Sequence, residues 1–231
     1  MTTWLRSALF LLWFLVITTI LSLVFLPVLA LPRGATVWLA RLWARWTFWG
    51  LKIFAGIGWE IRGTVPKGAV LVAAKHMSMW DTLALYLALD EPAIVLKREL
   101  LRIPFYGWFL AKAAAIAIDR SAGAGALRKM ADSARKVLAQ GRPILIFPEG
   151  TRKKPGAPPD YKPGVAGIYG LLAVDCVPVA LNSGVYWTGF LKRPGTIVLE
   201  FLEPIGPGLK RDAFMRLLET RIETATNQLL S

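Results

Sequence analysis

The sequence predicts an α/β fold, a mixed sheet flanked by helices, preceded by an N-terminal hydrophobic helical segment that anchors the chain to a membrane. Three observations predict it. No charged residue occurs between positions 7 and 32, and a helix of roughly 20 apolar residues matches a bilayer core of about 30 Å. Tryptophan and basic residues then crowd the stretch 33–59. From Glu60 onward, short apolar runs punctuated by Gly and Pro alternate with longer runs of helical period, the pattern of an α/β unit. The expected division is a membrane helix plus an interfacial helix over 1–59 and an α/β domain over 60–231.

Each element has a local reason. Pro27 and Pro32 kink or end the first helix towards its C-terminal side, so that helix either spans the bilayer or dips into one leaflet and returns. A cleaved signal peptide fits less well, because the apolar core is long and Arg6 is the only charge before it. In 33–59, Trp38, Trp43, Trp46, Trp49 and Trp59 favour the headgroup level. Arg41, Arg45 and Lys52 share one helical face, which suits anionic membrane lipid. If the first helix spans, the positive charge that follows it puts the body of the protein in the cytoplasm.

In the second unit, strands are expected at 59–65, 69–74, 93–96, 115–118, 144–147, 177–181 and 196–202. Helices are expected from Thr82, over 106–112, 123–140 and 164–174, and from Asp212 to the end. The helix 123–140 carries an apolar stripe at Leu127, Met130, Ala131, Ala134, Val137 and Leu138, and Gly141 with Pro143 stops it.

Composition narrows the function. Hydrophobic residues make up 55% of the chain and charged ones 19%, with a net charge of +13. Such a surface suits lipid headgroups or acidic substrates. No zinc-ligand pattern or helix-turn-helix accompanies it, so nucleic acid is not an expected partner. One cysteine and one histidine exclude a disulfide and a cysteine metal cluster, and no metal or cofactor is expected. Cys176 lies in an apolar run as a small core residue. No Gly-x-Ser-x-Gly elbow is present, which argues against a serine hydrolase.

The chemistry concentrates at Lys75-His76-Met77-Ser78-Met79-Trp80-Asp81, where a strand turns into a helix. Histidine takes and returns protons near neutrality. In one continuous helix His76 and Asp81 would point about 140° apart, so they meet only if His76 lies in the turn and Asp81 in the first helical turn. Ser78 and Asp81 have the spacing of a capping box, which supplies that geometry and leaves Ser78 a cap rather than a nucleophile.

Histidine, four residues, then aspartate resembles the signature of the glycerolipid acyltransferases, and three further blocks follow in that family's order. Lys97-Arg98-Glu99-Leu100 with Pro104-Phe105-Tyr106-Gly107 is similar to the second block. Phe147-Pro148-Glu149-Gly150-Thr151-Arg152 is similar to the third, and Val177-Pro178-Val179-Ala180-Leu181 to the fourth. The resemblance implies a membrane-bound bacterial enzyme, and the charge that follows the first helix puts its catalytic domain at the cytoplasmic side of the inner membrane. The resemblance also implies an acyl-CoA or acyl-carrier protein donor, a lysophosphatidate acceptor and no acyl-enzyme. Glycerol 3-phosphate or another lysolipid, such as an ornithine-derived one, is the alternative acceptor.

In that reading His76 is the base and Asp81 orients it. Arg152 is the main phosphate ligand, because guanidinium pairs bidentately with phosphate oxygens, and Lys97 is the second cation. Gly150 and Thr151 form the anion-approaching turn. Glu149 orients Arg152 or backbone amides, or bonds an acceptor hydroxyl. Lys153, Lys154 and Lys162 add general attraction for phosphates. Tyr106, Trp108 and Phe109 are candidates for an apolar wall along the acyl chain. One departure stands out: Lys75 occupies a position where the family commonly has asparagine. A cation there is expected to bear on His76 or on donor preference.

Overall fold

The computed structural model describes residues 2–103, 106–118 and 123–231. Two long helices open the chain. α1 (Thr3–Val24) ends before a 3-10 turn, Leu26–Ala30, that has Pro27 in its first turn. Pro32 then caps α2 (Arg33–Gly50), as a residue without an N–H can at a helix start. The interfacial helix expected over 33–59 stops early, at a π turn over Leu51–Ala55 that Gly56 closes. The first strand begins before the expected boundary at 60.

The remaining elements are β1 (Ile57–Arg62), β2 (Leu71–Ala74), α3 (Met79–Ala88), β3 (Ala93–Lys97), a 3-10 turn (Arg98–Arg102), α4 (Tyr106–Lys112), β4 (Ile116–Ile118), α5 (Gly123–Leu138) and β5 (Ile144–Ile146). They continue with α6 (Gly164–Leu172), β6 (Cys176–Leu181), α7 (Ser183–Tyr186), β7 (Trp187–Thr188), β8 (Leu191–Lys192), β9 (Gly195–Phe201) and α8 (Arg211–Leu230). Among the described residues the main sheet has seven strands in the order β1-β9-β6-β2-β5-β3-β4. Only β6 and β9 pair antiparallel in it; the other neighbours are parallel. The mixed α/β sheet inferred from the sequence is therefore present, with β7 and β8 forming a separate small hairpin.

Strand alternation sorts the core into two layers. Leu71 and Ala73 of β2 face one side, in a buried cluster with Met130 and Ala134 of α5, Ile168 and Tyr169 of α6, and Phe214 and Leu218 of α8. Tyr169 and Phe214 stack there with ring centroids 3.8 Å apart. Val72 and Ala74 face the other side, in a cluster that holds Phe10 of α1, Phe48 of α2 and Trp80 of α3. Phe48 and Trp80 stack at 5.5 Å. The N-terminal helices thus cover one face of the sheet. Because β2, β3, β5 and β6 run parallel, the segments that follow them leave from one edge, the edge where such sheets bind ligands.

Candidate active site

β2 delivers Lys75 and His76 to that edge, and the chain then starts α3. Ser78 is the cap of α3: its hydroxyl accepts the Trp80 N–H at 3.1 Å. Asp81 closes the box by accepting the Ser78 N–H at 2.8 Å. The turn does what the spacing requires, for His76 Nδ1 lies 2.9 Å from Asp81 Oδ2.

Asp81 is fully buried, and its neighbours fix the tautomer of the histidine. Oδ2 also accepts the Met77 N–H at 2.6 Å. Oδ1 faces the hydroxyls of Ser78, at 3.2 Å, and Ser183. With donors around both carboxylate oxygens, Nδ1 of His76 carries the proton towards Asp81 and Nε2 is left as the basic nitrogen. Nε2 has no hydrogen-bond partner among the described residues. The His76 side chain keeps 12% of its surface exposed, enough to meet a substrate. Phe147 lies flat against the imidazole, with centroids 3.9 Å apart and planes 19° from parallel. It restrains the ring through its face, perpendicular to the plane in which the two nitrogens hydrogen-bond.

The loop after β5 is joined to the same place. The N–H of Lys153 donates to the carbonyl of His76 at 2.8 Å. Gly150 turns this loop with φ +66°, a left-handed conformation that glycine adopts without strain. Thr151 and Arg152 are exposed, and the Arg152 guanidinium has no ion pair or hydrogen bond among the described residues. Lys97 is also exposed at the carboxyl end of β3, with β5 between that strand and β2. Two strand spacings put its backbone about 10 Å from that of β2. The structure therefore joins His76, Asp81 and the Gly150–Arg152 turn, and leaves Lys97 further along the edge. Lys153 and Lys162 pair with Asp160, at 3.5 Å and 2.7 Å. Pro104 and Phe105 of the second block lie outside the described residues.

Two expectations are narrowed. Glu149 makes no contact with Arg152 among the described residues; of the roles expected for it, it bonds a backbone amide, the N–H of Asp160. Glu149 is buried, and both its oxygens lie 3.2 Å from Nζ of Lys75. Lys75 in turn does not address the imidazole: it is equally buried and reaches Glu223 Oε1 of α8 at 2.7 Å. Alternation along β2 sends the side chains of residues 75 and 76 to opposite faces, and the two carboxylates match the ammonium. Tyr161 donates to Glu223 Oε1 at 2.8 Å. Burial raises the Glu149 carboxyl above its ordinary range, against the opposing pull of Lys75. Burial first, and then the Glu223 charge, raise the Tyr161 phenol. The sequence offered no signal for Glu223 or Ser183, which reach the site from distant parts of the chain. Phe147 was visible only as a member of its block.

An apolar cavity of about 300 Å³ lies beside α3, lined by Leu21, Leu39, Trp43, Leu83, Tyr86 and Phe109 among others. Of the aromatic candidates for a chain-binding wall, Phe109 lines it, Trp108 does not, and the Tyr106 side chain lies outside the described residues. Cys176 is buried, and desolvation pushes its thiol up to about 12, so it is no nucleophile.

Residues 59–182 match the protein-family model described as Acyltransferase. The chain is 36% identical over 193 residues to the 1-acyl-sn-glycerol-3-phosphate acyltransferase of Pseudomonas aeruginosa, which spans 82% of this chain and 73% of that one. It is 33% identical over 123 residues to the lyso-ornithine lipid O-acyltransferase of the same organism, covering 52% of this chain and 46% of that one. The crystal structure of the 1-acyl-sn-glycerophosphate (LPA) acyltransferase from Thermotoga maritima shares its fold. The TM-score is 0.80 at 22% identity, over 100% of this chain and 98% of that one.

Proposed function

The chain belongs to the acyltransferase family, and on that premise we propose that it transfers a fatty acyl group to the 2-hydroxyl of 1-acyl-glycerol-3-phosphate, giving phosphatidic acid. The observation that carries the chemistry is the 2.9 Å contact between His76 and Asp81, with no partner on Nε2 among the described residues. Nε2 takes the proton as the acceptor oxygen attacks the acyl carbonyl. Asp81 holds the ring and stabilises the imidazolium that forms. The donor we assign is a thioester, acyl-CoA or acyl-carrier protein. The C–O bond forms, the C–S bond breaks, and the imidazolium returns its proton to the leaving sulfur.

The phosphate of the acceptor is met by Arg152, supported by its exposure, by a guanidinium that pairs with none of the described residues, and by its attachment to His76 through the Lys153 N–H. Lys97 is assigned the outer position on the same edge. Glu149 acts from behind, through Lys75. The acyl chain runs towards the apolar cavity beside α3.

The membrane partner is anionic lipid, and the catalytic edge is assigned to the cytoplasmic side, where acyl thioesters are made. α1 lies along the domain rather than apart from it. Its Ser7, Phe10 and Ile17 are buried against the body, and Trp43 Nε1 donates to Thr18 at 2.9 Å. That packing supports a helix resting in one leaflet, not one crossing both.

The test is a thioester-release assay on membranes containing the protein, beside a His76→Ala variant. Acyl-CoA is offered with lysophosphatidate, glycerol 3-phosphate, or a lysolipid lacking the phosphomonoester. Release is expected only with lysophosphatidate, and a loss of at least a thousandfold in the variant. Substantial turnover by His76→Ala removes the general-base role, and release with the phosphate-free lysolipid alone removes the acceptor assignment.

A further inference from the structure

Asp81 has a set of partners with one odd member. His76, Met77 and Ser78 all lie within five residues of it and belong to the same turn. Ser183 comes from more than a hundred positions away in the chain, at the start of α7, and its hydroxyl donates to Asp81 Oδ1. The Ser183 side chain is completely buried and lies 2.9 Å from Ser78 Oγ.

The segment that carries Ser183 is itself fixed. The Asn182 side chain accepts the Val198 N–H of β9 at 2.8 Å and donates to the Leu229 carbonyl of α8 at 3.1 Å. Gly184 lies against the catalytic turn: a Cβ there would stand 3.0 Å from Met77 Cβ and 2.9 Å from Pro155 Cδ. Residues 182–184 therefore join the sheet, the terminal helix, the His76 turn and the loop after Arg152.

We propose that Ser183 is a positioning residue for acyl transfer: its hydroxyl holds Oδ1 of Asp81, so that Oδ2 stays directed at His76. This rests on the assignment of His76 as base and Asp81 as its orienting group. The local partners hold Asp81 to its own turn. Ser183 holds that turn to the rest of the site. A carboxylate anchored at both oxygens cannot swing, and the imidazole it holds stays in one orientation. Removing the hydroxyl leaves substrate contacts intact and loosens the base.

The full-length protein in lipid vesicles is assayed as Ser183→Ala, Ser183→Thr, Asp81→Ala and the double variant Asp81→Ala/Ser183→Ala, with His76→Ala as control and thermal melting of each. Ser183→Ala is expected to lower kcat roughly tenfold, with both Michaelis constants within about twofold of the parent. Ser183→Thr, which keeps the hydroxyl, is expected to retain most of the turnover. It also keeps the test decisive if the alanine variant does not fold. In the Asp81→Ala background the serine change is expected to cost nothing further, since its only route to the chemistry is gone. An unchanged kcat in Ser183→Ala overturns the proposal. So does a loss that persists in the absence of Asp81, or one spread over both Michaelis constants. Turnover surviving in His76→Ala refutes the base assignment itself, a separate result.

Discussion

Lys192 lies buried under α1, with its ammonium 4.6 Å from the ring of Trp187 and 5.7 Å from that of Phe10. It donates to the carbonyls of Gly189 and Phe190, and no carboxylate pairs with it among the described residues. Desolvation lowers it from an ordinary 10.5 to about 8. The unfolded chain therefore holds this proton between about pH 8 and 10.5 while the folded protein does not, and stability gained from the group rises with pH across that window. Melting of the parent and of Lys192→Met, compared at pH 7.5 and pH 10, is expected to shift in favour of the parent by up to about 3 kcal/mol. A difference independent of pH would mean that the folded protein keeps the proton. At this scale the sequence was legible where partners are close in the chain. His76, Ser78 and Asp81 meet through one turn, and their spacing alone defines the geometry. Lys75 with Glu223, and Asp81 with Ser183, are brought together only by the sheet, so no spacing announces them.

Helices α1 and α2 cross where Gly50 faces Trp13. A Cβ on Gly50 would stand 2.0 Å from the indole Cδ1, so only a bare backbone lets the ring in. Trp13 lies 4.9 Å from Trp49 and 5.8 Å from Trp46 between centroids, and its Nε1 donates to the Trp46 carbonyl at 3.0 Å. Gly50→Ala must displace that ring, at a cost of about 1–3 kcal/mol. That exceeds what alanine returns in helix propensity. The expected result is a lower melting temperature with altered tryptophan fluorescence; an unshifted melt would show that the crossing tolerates a side chain. Among elements, those with enough residues to show a period were readable, such as α5 and β6. Four-residue α7 and the two-residue strands β7 and β8 are too short to carry one. The end of α2 at Gly50 escaped because its apolar pattern runs on into the π turn. Arg41, expected to face lipid with Arg45, instead donates to the Leu89 carbonyl at 2.9 Å, while Arg45 is exposed.

Across the whole molecule, one face of α1 stays uncovered: Leu12, Leu15 and Leu23 are 60%, 53% and 59% exposed. Trp38, Trp46 and Trp49 of α2 and Ile53 beyond it are exposed as well. An apolar surface of this extent on a basic protein fits the interfacial zone of an anionic bilayer. Changing the three leucines together to glutamine is expected to weaken binding to anionic vesicles by about a hundredfold or more, at about 1 kcal/mol or more per side chain, without lowering the melting temperature. Unchanged partitioning would take this face away from the membrane. The fold class was legible because strand and helix periods alternate, whereas the strand order was not: β1 pairs with β9, from opposite ends of the domain. The cluster that joins Phe10, Phe48 and Trp80 has a further consequence. The helices proposed to lie against the bilayer are also a wall of the protein's interior. A protease that cut between α2 and β1 and stripped those helices away would uncover the stacked ring of Trp80, leaving an opened core where a tethered enzyme would leave a soluble fragment. Shedding by proteolysis, a way for tethered enzymes to leave a surface intact, is closed to this architecture.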